Sequence, residues 1–155
     1  MLNLKPRLAL YEGGVVVIFH KSLDVYRLSL DFVEIAADIA KHIPRGQSYL
    51  ADQLRRSASS TVLNIGEGAG EFSKKEKARF YRMALRSATE SASTIDIVYR
   101  FEHITDQLYH SAEHTLDRII AMLTKLIHRH TREALTVVGG NAEPENGARE
   151  REPLR

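Results

Sequence analysis

The chain has 155 residues, of which 43% are hydrophobic and 27% charged, a composition typical of one soluble domain large enough to bury a core. It has no cysteine, which excludes a disulfide framework and thiol chemistry and fits a reducing compartment such as the cytoplasm. The formal net charge of +2 is too small to indicate a partner by itself. Residues 141–155 hold four acidic and three basic residues, so the excess of positive charge lies in the first 140 residues.

Residues 1–18 are predicted to form an N-terminal arm that precedes the folded domain. Its apolar run, residues 15–19, is too short to cross a bilayer, and the cleavage site of a secretory signal does not follow it. We therefore expect no membrane association. The arm is predicted to be disordered or to form a short strand within residues 14–19 that packs on a neighbour, because β-branched residues favour extended chain.

The first predicted helix, residues 22–42, carries two apolar stripes. One stripe consists of Leu23, Tyr26, Leu30, Val33, Ala37 and Ala40, and the other of Leu28, Phe32, Ile35 and Ile39. A helix that is apolar around this much of its circumference needs more cover than one bundle face provides. The pattern therefore favours an oligomer. Pro44 and Gly46 then break the chain before the next helix.

The second predicted helix, residues 50–67, has one face suited to a core. That face consists of Leu50, Leu54, Ala58, Thr61 and Ile65. Gly66, Gly68 and Gly70 are predicted to end the helix, because glycine adopts the left-handed conformation that closes a helix C-terminus. A nucleotide-binding loop is not indicated, since no strand precedes these glycines and no Lys-Ser or Lys-Thr pair follows at the required offset.

A polar row lies about a quarter turn from this core face. Its residues are Gln53, Arg56, Ser60, Asn64 and Glu67. The row is either a solvated flank or a partly buried seam in which Arg56, Asn64 and Glu67 satisfy one another or groups on the next helix. Glu90 of the third helix is the candidate partner across such a seam. The sequence leaves both interpretations open.

The third predicted helix begins at a capping box, because Ser73 is followed three residues later by Glu76, and it continues to about Glu102. Four basic residues at spacings of four, three and four share one narrow stripe, which consists of Lys75, Arg79, Arg82 and Arg86. The stripe is either the solvated face of an amphipathic helix or a row of cations that neutralises successive phosphates without reading sequence.

The fourth predicted helix, residues 105–130, has the single apolar stripe of a bundle helix. The stripe consists of Leu108, Ala112, Leu116, Ile119, Leu123, Leu126 and Ile127. Four helices with short connections predict an all-α, up-down-up-down four-helix bundle over residues 19–136, and residues 137–155 are predicted to be a disordered tail. A second basic patch ends the helix and consists of Lys125, His128, Arg129, His130 and Arg132. The sequence does not fix its distance from the first.

Neither catalysis nor metal binding is indicated. No serine lies in a nucleophile elbow, and no Ser, His and Asp form a readable arrangement. His110 and His114 share a helix face, but an HExxH pattern and a third ligand are missing. We predict no enzymatic activity, no metal or other cofactor and no small-molecule substrate.

The second and third helices carry a distinctive run of residues. The run is Gln53, Arg55, Arg56, Ser60, Asn64-Ile65-Gly66-Glu67-Gly68, Ser73-Lys74-Lys75-Glu76, Phe80, Ala84, Ser87 and Glu90. It resembles the four-helix bundle family of small bacterial proteins encoded in intervening sequences of 23S ribosomal RNA genes. Members were once labelled S23 ribosomal proteins, and the family includes the accessory variability determinant of diversity-generating retroelements. The resemblance spans about residues 19–132.

This resemblance implies a bundle that assembles as a ring-like homopentamer. The retroelement member of the family binds reverse transcriptase and RNA through a basic surface, so the resemblance also implies a surface of this kind here. Gly66 stands where the family signature has alanine, which loosens the end of the second helix by up to about 1 kcal/mol.

Two hypotheses about function follow. In the first, a homo-oligomer binds RNA or an RNA/DNA hybrid through phosphate contacts from Arg55, Lys75, Arg79, Arg82 and Arg86. Base stacking is not expected, because most of the six Tyr and five Phe lie on predicted core stripes. In the second, the protein is a scaffold that docks a reverse transcriptase or another partner without touching nucleic acid. Salt weakens the first kind of binding steeply and the second little.

Overall fold

The computed structural model describes residues 9–11, 14–16 and 19–139, with side chains described over residues 20–135. β1 (Ala9–Tyr11) and β2 (Gly14–Val16) form an antiparallel hairpin. Four α-helices follow: α1 (Asp24–His42), α2 (Ser48–Gly70), α3 (Lys74–Arg100) and α4 (Asp106–Gly139). Short 3-10 helices at Phe19–Ser22 and Arg45–Gln47 precede α1 and α2. The predicted all-α four-helix bundle is confirmed.

The helices surround one apolar core. Each helix packs on its neighbours in sequence, and α1 also packs on α4, which is the arrangement of an up-down-up-down bundle. The largest fully buried side chains include Phe32, Ile39, Leu54, Ile65, Ile95, Leu116, Ile119 and Leu123. Burial of each such side chain contributes about 1.5–3 kcal/mol, so the amphipathic faces hold the bundle together.

The two ends of the bundle differ in which connections they hold. At one end, the α2–α3 turn lies beside the start of α1 and the C-terminal part of α4, where Lys74 of α3 meets Glu133 of α4 at 2.8 Å. At the other end, the α3–α4 turn meets the start of α2, and His103 lies 2.6 Å from the Gln47 side-chain oxygen. Glu102 in this turn has a φ of 57°, the left-handed conformation that closes a helix.

Small residues set the contact between α2 and α3. The hydroxyls of Ser57 and Ser91 are both buried and lie 2.7 Å apart. Ser87 donates a hydrogen bond of 3.0 Å to the Ser60 hydroxyl. Because these side chains are short and bonded to each other, the two helices approach closely without leaving buried polar groups unpaired.

α2 ends at Gly70, the last of the three glycines predicted to end it, and runs three residues beyond the predicted bound of residue 67. Gly66 and Gly68 lie within the helix, and Gly68 is buried in the α2–α3 contact. A Cβ at Gly68 would lie 2.9 Å from the Tyr81 ring and 3.0 Å from Phe80, so this glycine allows close helix packing. The helix then ends at the turn, where Lys77 donates hydrogen bonds to the carbonyls of Gly68 and Ala69 at 3.2 and 2.9 Å.

The other differences concern the ends of the chain. α4 runs nine residues beyond its predicted end at His130 and extends to Gly139, because no glycine or proline interrupts residues 131–138. It therefore includes the first residues of the predicted tail, whereas residues 140–155 lie outside the described residues. β2 occupies residues 14–16 of the predicted strand and pairs with β1 of the same chain. That the arm packs on a neighbour stays a prediction.

Candidate nucleic-acid interface

Charge divides the bundle into two halves across its long axis. The basic half consists of residues 20–30, 62–86 and 118–135, and it holds twelve Lys and Arg against five Asp and Glu. The acidic half consists of residues 31–61 and 87–117, and it holds five Lys and Arg against ten Asp and Glu. The small net charge of the chain therefore conceals two strong charges of opposite sign. A polyanion is attracted to the basic half.

The α3 stripe lies on the outer surface of the basic half. Lys75, Arg79, Arg82 and Arg86 are all exposed, and the row spans about 16 Å of helix. Arg79 pairs with Glu76 at 2.8 Å, and its guanidinium lies 5.6 Å from the Phe80 ring centroid. Within the described part of the chain, Lys75 and Arg86 make neither an ion pair nor a side-chain hydrogen bond. They are available to an external anion.

Arg82 connects the stripe to the second basic patch. Its guanidinium donates a hydrogen bond of 2.9 Å to the Thr131 hydroxyl of α4. The exposed members of the patch on this stretch of α4 are Lys125, His128, Arg129 and Arg132. The two clusters separated by some forty residues in the sequence are therefore neighbours on the surface. His130, by contrast, is buried and does not belong to this surface.

Glu133 of α4 lies between a cation of α3 and a cation of α4. Glu133 lies 2.8 Å from the Lys74 ammonium and accepts a hydrogen bond of 3.0 Å from Arg129 Nε. The hydrogen bonds from Lys74 and Arg129 lower the pKa of Glu133 to about 2. The sequence analysis missed this cluster. The four-residue spacing of Arg129 and Glu133 on a helix was the available signal for part of it.

His130 lies beneath this carboxylate. Its exposed fraction is 8%, and its ring centroid lies 5.7 Å from that of Tyr81. Nδ1 is 3.4 Å from Glu133 and has no well-aligned hydrogen-bond partner among the described residues. Burial lowers the pKa of His130, with a smaller opposing effect from Glu133.

Lys77 has a different role from its basic neighbours. Its ammonium points back at the C-terminal carbonyls of α2 and offsets the negative end of that helix. Burial is the main cause that lowers the pKa of Lys77, and the nearby Lys74 adds to it. This lysine therefore fixes the α2–α3 turn.

The turn itself carries an exposed aromatic side chain. Phe72 lies between the last residue of α2 and the Ser73 cap of α3, and its exposed fraction is 99%. Ser73 accepts a hydrogen bond from the Glu76 amide, as the predicted capping box requires. The helical patterns place most aromatic residues in the core and give no sign that this one is exposed.

Arg55 stands apart from the other predicted phosphate contacts. It is exposed on α2 in the acidic half and lies 3.5 Å from Asp52. It lines a shallow groove of about 540 Å³ together with Ser59, Leu63 and Met83. The structure thus brings four of the five predicted residues into one row and places Arg55 elsewhere.

Of the residues predicted to form a partly buried polar seam, only one is buried in the structure. Asn64 is buried, and its side chain donates hydrogen bonds to the Ser60 carbonyl and hydroxyl at 2.8 and 3.1 Å. Arg56 and Glu67 are exposed and lie in the groove beside α3. Glu90 pairs with this row as expected, and its partner is Gln53, which donates a hydrogen bond of 3.1 Å to it, rather than Arg56. The buried polar contact between α2 and α3 is made by serine hydroxyls.

At the acidic half, the α3–α4 turn is braced by two tyrosines. The rings of Tyr99 and Tyr109 stack with centroids 4.1 Å apart. Tyr99 donates a hydrogen bond to Asp106, and Tyr109 donates one to Asp96, each of 3.0 Å. These hydrogen bonds to the carboxylates raise the pKa of both phenols. The arrangement joins α3 to α4, and two carboxylates of the acidic half, those of Asp96 and Asp106, are hydrogen-bonded in it.

Metal ligation finds little support in residues 20–135. His110 and His114 are both exposed, and His110 lies 3.2 Å from Glu113. No group of three or more His, Asp or Glu in this range is arranged to hold an ion. None of the helices in the described part of the chain is long and apolar enough to span a membrane.

The fold and the charges define a four-helix bundle with one basic and one acidic half. The sequence model of the 23S rRNA-intervening sequence protein family matches residues 21–125, and the chain belongs to this family.

A solved structure is similar in fold: a protein of unknown function from the S23 ribosomal protein family of Bacteroides thetaiotaomicron VPI-5482. It is 26% identical, with a TM-score of 0.62, and the match covers 66% of this chain and 97% of that chain. No curated protein matches the chain.

Proposed function

We propose that this protein is a non-enzymatic, cytoplasmic homo-oligomer that binds structured RNA, without sequence preference, through the phosphates. The observation that carries the proposal is the exposed row of Lys75, Arg79, Arg82 and Arg86, which the Arg82 bond to Thr131 joins to the basic patch of α4. Lysine and arginine side chains that replace the counterions of a phosphate backbone give affinity without base recognition.

Membership of the family and the exposed apolar surface support assembly into a homo-oligomer. We propose a pentamer, as the family resemblance implies. The first apolar stripe of α1 is only partly covered within one chain, since Leu30 is 42% exposed and Tyr26 and Val33 are half-buried. A second copy would cover this stripe.

The experiment is a fluorescence-anisotropy titration of a labelled structured RNA and a matched DNA duplex at several salt concentrations. Two variants carry equal changes in charge: Lys75→Gln with Arg79→Gln and Arg86→Gln in the basic half, and Lys41→Gln with Arg45→Gln and Arg100→Gln in the acidic half. Circular dichroism and sedimentation verify that each variant folds and assembles as the wild type does.

We expect the wild type to bind with a steep salt dependence. Each phosphate that is no longer neutralised should reduce the slope of log affinity against log salt concentration by about 0.7–0.9. The slope of the basic-half variant should therefore be smaller by roughly two to three, and that of the acidic-half variant should equal the wild type's. Absence of binding at low salt would refute the proposal. Equal losses in both variants would show that net charge, rather than this surface, governs the binding.

A second candidate function rests on the groove beside α2. Leu63 is 63% exposed and Met83 is 40% exposed there, next to Arg55 and Arg56. A protein partner such as a reverse transcriptase would cover these apolar side chains, and a scaffold of this kind needs no contact with nucleic acid. Co-purification of a partner with the wild type and with the Leu63→Ser variant tests this second function. The wild type should retain the partner at high salt, and the variant should lose it.

A further inference from the structure

Phe72 is unlike every other apolar side chain of the described bundle. Its exposed fraction is 99%, whereas the other large exposed hydrophobic residues range from 40% to 69%. Full burial of a phenylalanine contributes about 1.5–3 kcal/mol, and this one gains almost none of it from contacts with the described residues. The whole ring is therefore available to pack against another molecule.

The backbone around Phe72 is held from both sides. The Glu71 amide donates a hydrogen bond of 3.2 Å to the Glu67 carbonyl, and the Lys77 amide donates one of 2.9 Å to the Ser73 carbonyl. The Lys77 ammonium binds the last carbonyls of α2 as well. The ring is therefore carried on a fixed support, which reduces the entropy lost when a ligand packs against it.

The surroundings of Phe72 select the chemistry of that ligand. Lys74 and Lys75 follow it directly and are both exposed, and the α3 stripe begins at Lys75 and leads away along the helix. An aromatic ring at the head of a row of cations is the combination used to bind unpaired nucleic acid, in which phosphates pair with the cations and a base stacks on the ring.

We propose that Phe72 is a stacking platform for an unpaired base of the RNA whose phosphates lie on the α3 stripe. This rests on the proposed function and adds a preference to it: the protein favours RNA that has single-stranded nucleotides beside a paired region. Any base satisfies the contact, because every base has a π face, so the preference is for structure and not for sequence.

The test compares two labelled RNAs, a blunt duplex and the same duplex with a single-stranded overhang. The protein variants are Phe72→Ala, Phe72→Leu and Phe72→Trp. Tyr49→Ala serves as a matched control, because Tyr49 is 60% exposed but lies in the acidic half. Sedimentation is measured for every variant.

We expect the wild type and Phe72→Trp to bind the overhang RNA more tightly than the blunt duplex. Phe72→Ala should lose roughly fivefold or more in affinity for the overhang RNA only, as expected for one stacked base. Phe72→Leu should lose most of the same preference, because it keeps the apolar surface but has no ring. The salt slope should not change in any variant, since stacking releases no counterions. The chain has no native tryptophan, so the indole emission of Phe72→Trp reports on this position alone, and the overhang RNA should quench it.

The outcomes separate the two proposals. Equal affinity of wild type and Phe72→Ala for the overhang RNA, with binding and salt slope intact, would overturn the stacking contact and leave phosphate binding in place. No binding of either RNA by the wild type would overturn the proposed function itself. A changed oligomeric state in Phe72→Ala would assign the ring to an interface between copies and also overturn the inference.

Discussion

The basic and acidic halves of the bundle share one core and one set of helices, yet they use their surface charges differently. In the acidic half, Asp96 and Asp106 accept hydrogen bonds from the stacked tyrosines, so these carboxylates serve the fold. In the basic half, Lys74, Lys77 and Arg82 bind groups on neighbouring helices, whereas Lys75 and Arg86 are exposed and unpaired among the described residues. Charges that a fold does not use internally are those available to a ligand.

The largest expected effect reverses the sign of the stripe. Lys75→Glu with Arg79→Glu and Arg86→Glu should weaken RNA binding at low salt by roughly a hundredfold or more, because attraction to the phosphates is replaced by repulsion. Neutralising Glu102, Glu113 and Asp117 to their amides should change affinity by less than about threefold at about 0.1 M salt, because these carboxylates lie in the acidic half and the Debye length is then only about 10 Å. Anisotropy titrations measure both. Comparable effects would remove the distinction between the halves.

Two glycines in the basic half should respond oppositely to the same added methyl group. Gly68→Ala should destabilise the bundle by about 1–3 kcal/mol, because its Cβ would lie 2.9 Å from Tyr81 at the α2–α3 contact. Gly66→Ala should stabilise it by up to about 1 kcal/mol, since the nearest atom, in Tyr26, is at 3.7 Å and the helix gains propensity. Urea unfolding at matched protein concentration gives both values. Equal changes in the free energy of unfolding would refute the packing argument.

Removing the negative charge of Glu133 should raise the affinity for RNA modestly. Glu133→Gln leaves Lys74 and Arg129 without their carboxylate, so RNA binding should tighten by about threefold at low salt. Glu34→Gln is the control, because it removes the same charge from the acidic half. A gain in both variants would point to net charge, and no gain in either would show that the Glu133 site lies outside the contact surface.

The same carboxylate should make stability sensitive to acid. The folded-state pKa of Glu133 is lowered from 4.5 to about 2, so its contribution is complete above pH 4.5 and is lost as the pH falls toward 2. Thermal unfolding of wild type and Glu133→Gln over this range should converge at low pH. A constant difference between their melting temperatures would contradict the assignment.

The smallest expected effect concerns His130. Burial lowers its folded-state pKa below 6.5, so the unfolded chain binds more protons just below that pH and stability falls as the pH falls through this window. A His130→Leu variant should lack this part of the pH dependence and should differ little from wild type at pH 8. Urea titrations at several pH values between 7 and 5 measure it. An unchanged slope in the variant would show that another group titrates.

Patterns along single helices were sufficient to predict the bundle. The apolar stripe of α4 and the core face of α2 define helices with one buried side, and Ser73 with Glu76 marks the start of α3. The glycine pattern marked the end of α2 at Gly70 but not that Gly68 lies inside the helix, because the need for a small residue there comes from Tyr81 on another helix. The exposed row on α3 could be predicted in the same way, because its residues recur at helical spacing within one helix.

Contacts between helices were not readable in this way. The bond from Arg82 to Thr131 and the pair of Lys74 with Glu133 join residues about fifty and sixty positions apart, so no periodicity marks them. The exposure of Phe72 depends on the turn that carries it. Sequence alone therefore identified the residues of the α3 stripe but neither its continuation onto α4 nor its aromatic neighbour.

Lysine acetylation footprinting with and without saturating RNA tests directly whether RNA binds the basic half. Lys75 in the basic half and Lys41 in the acidic half are both exposed and report on the two halves in one sample. RNA should slow acetylation of Lys75 severalfold and leave that of Lys41 unchanged. Equal protection of both lysines, or protection of Lys41 alone, would contradict this prediction.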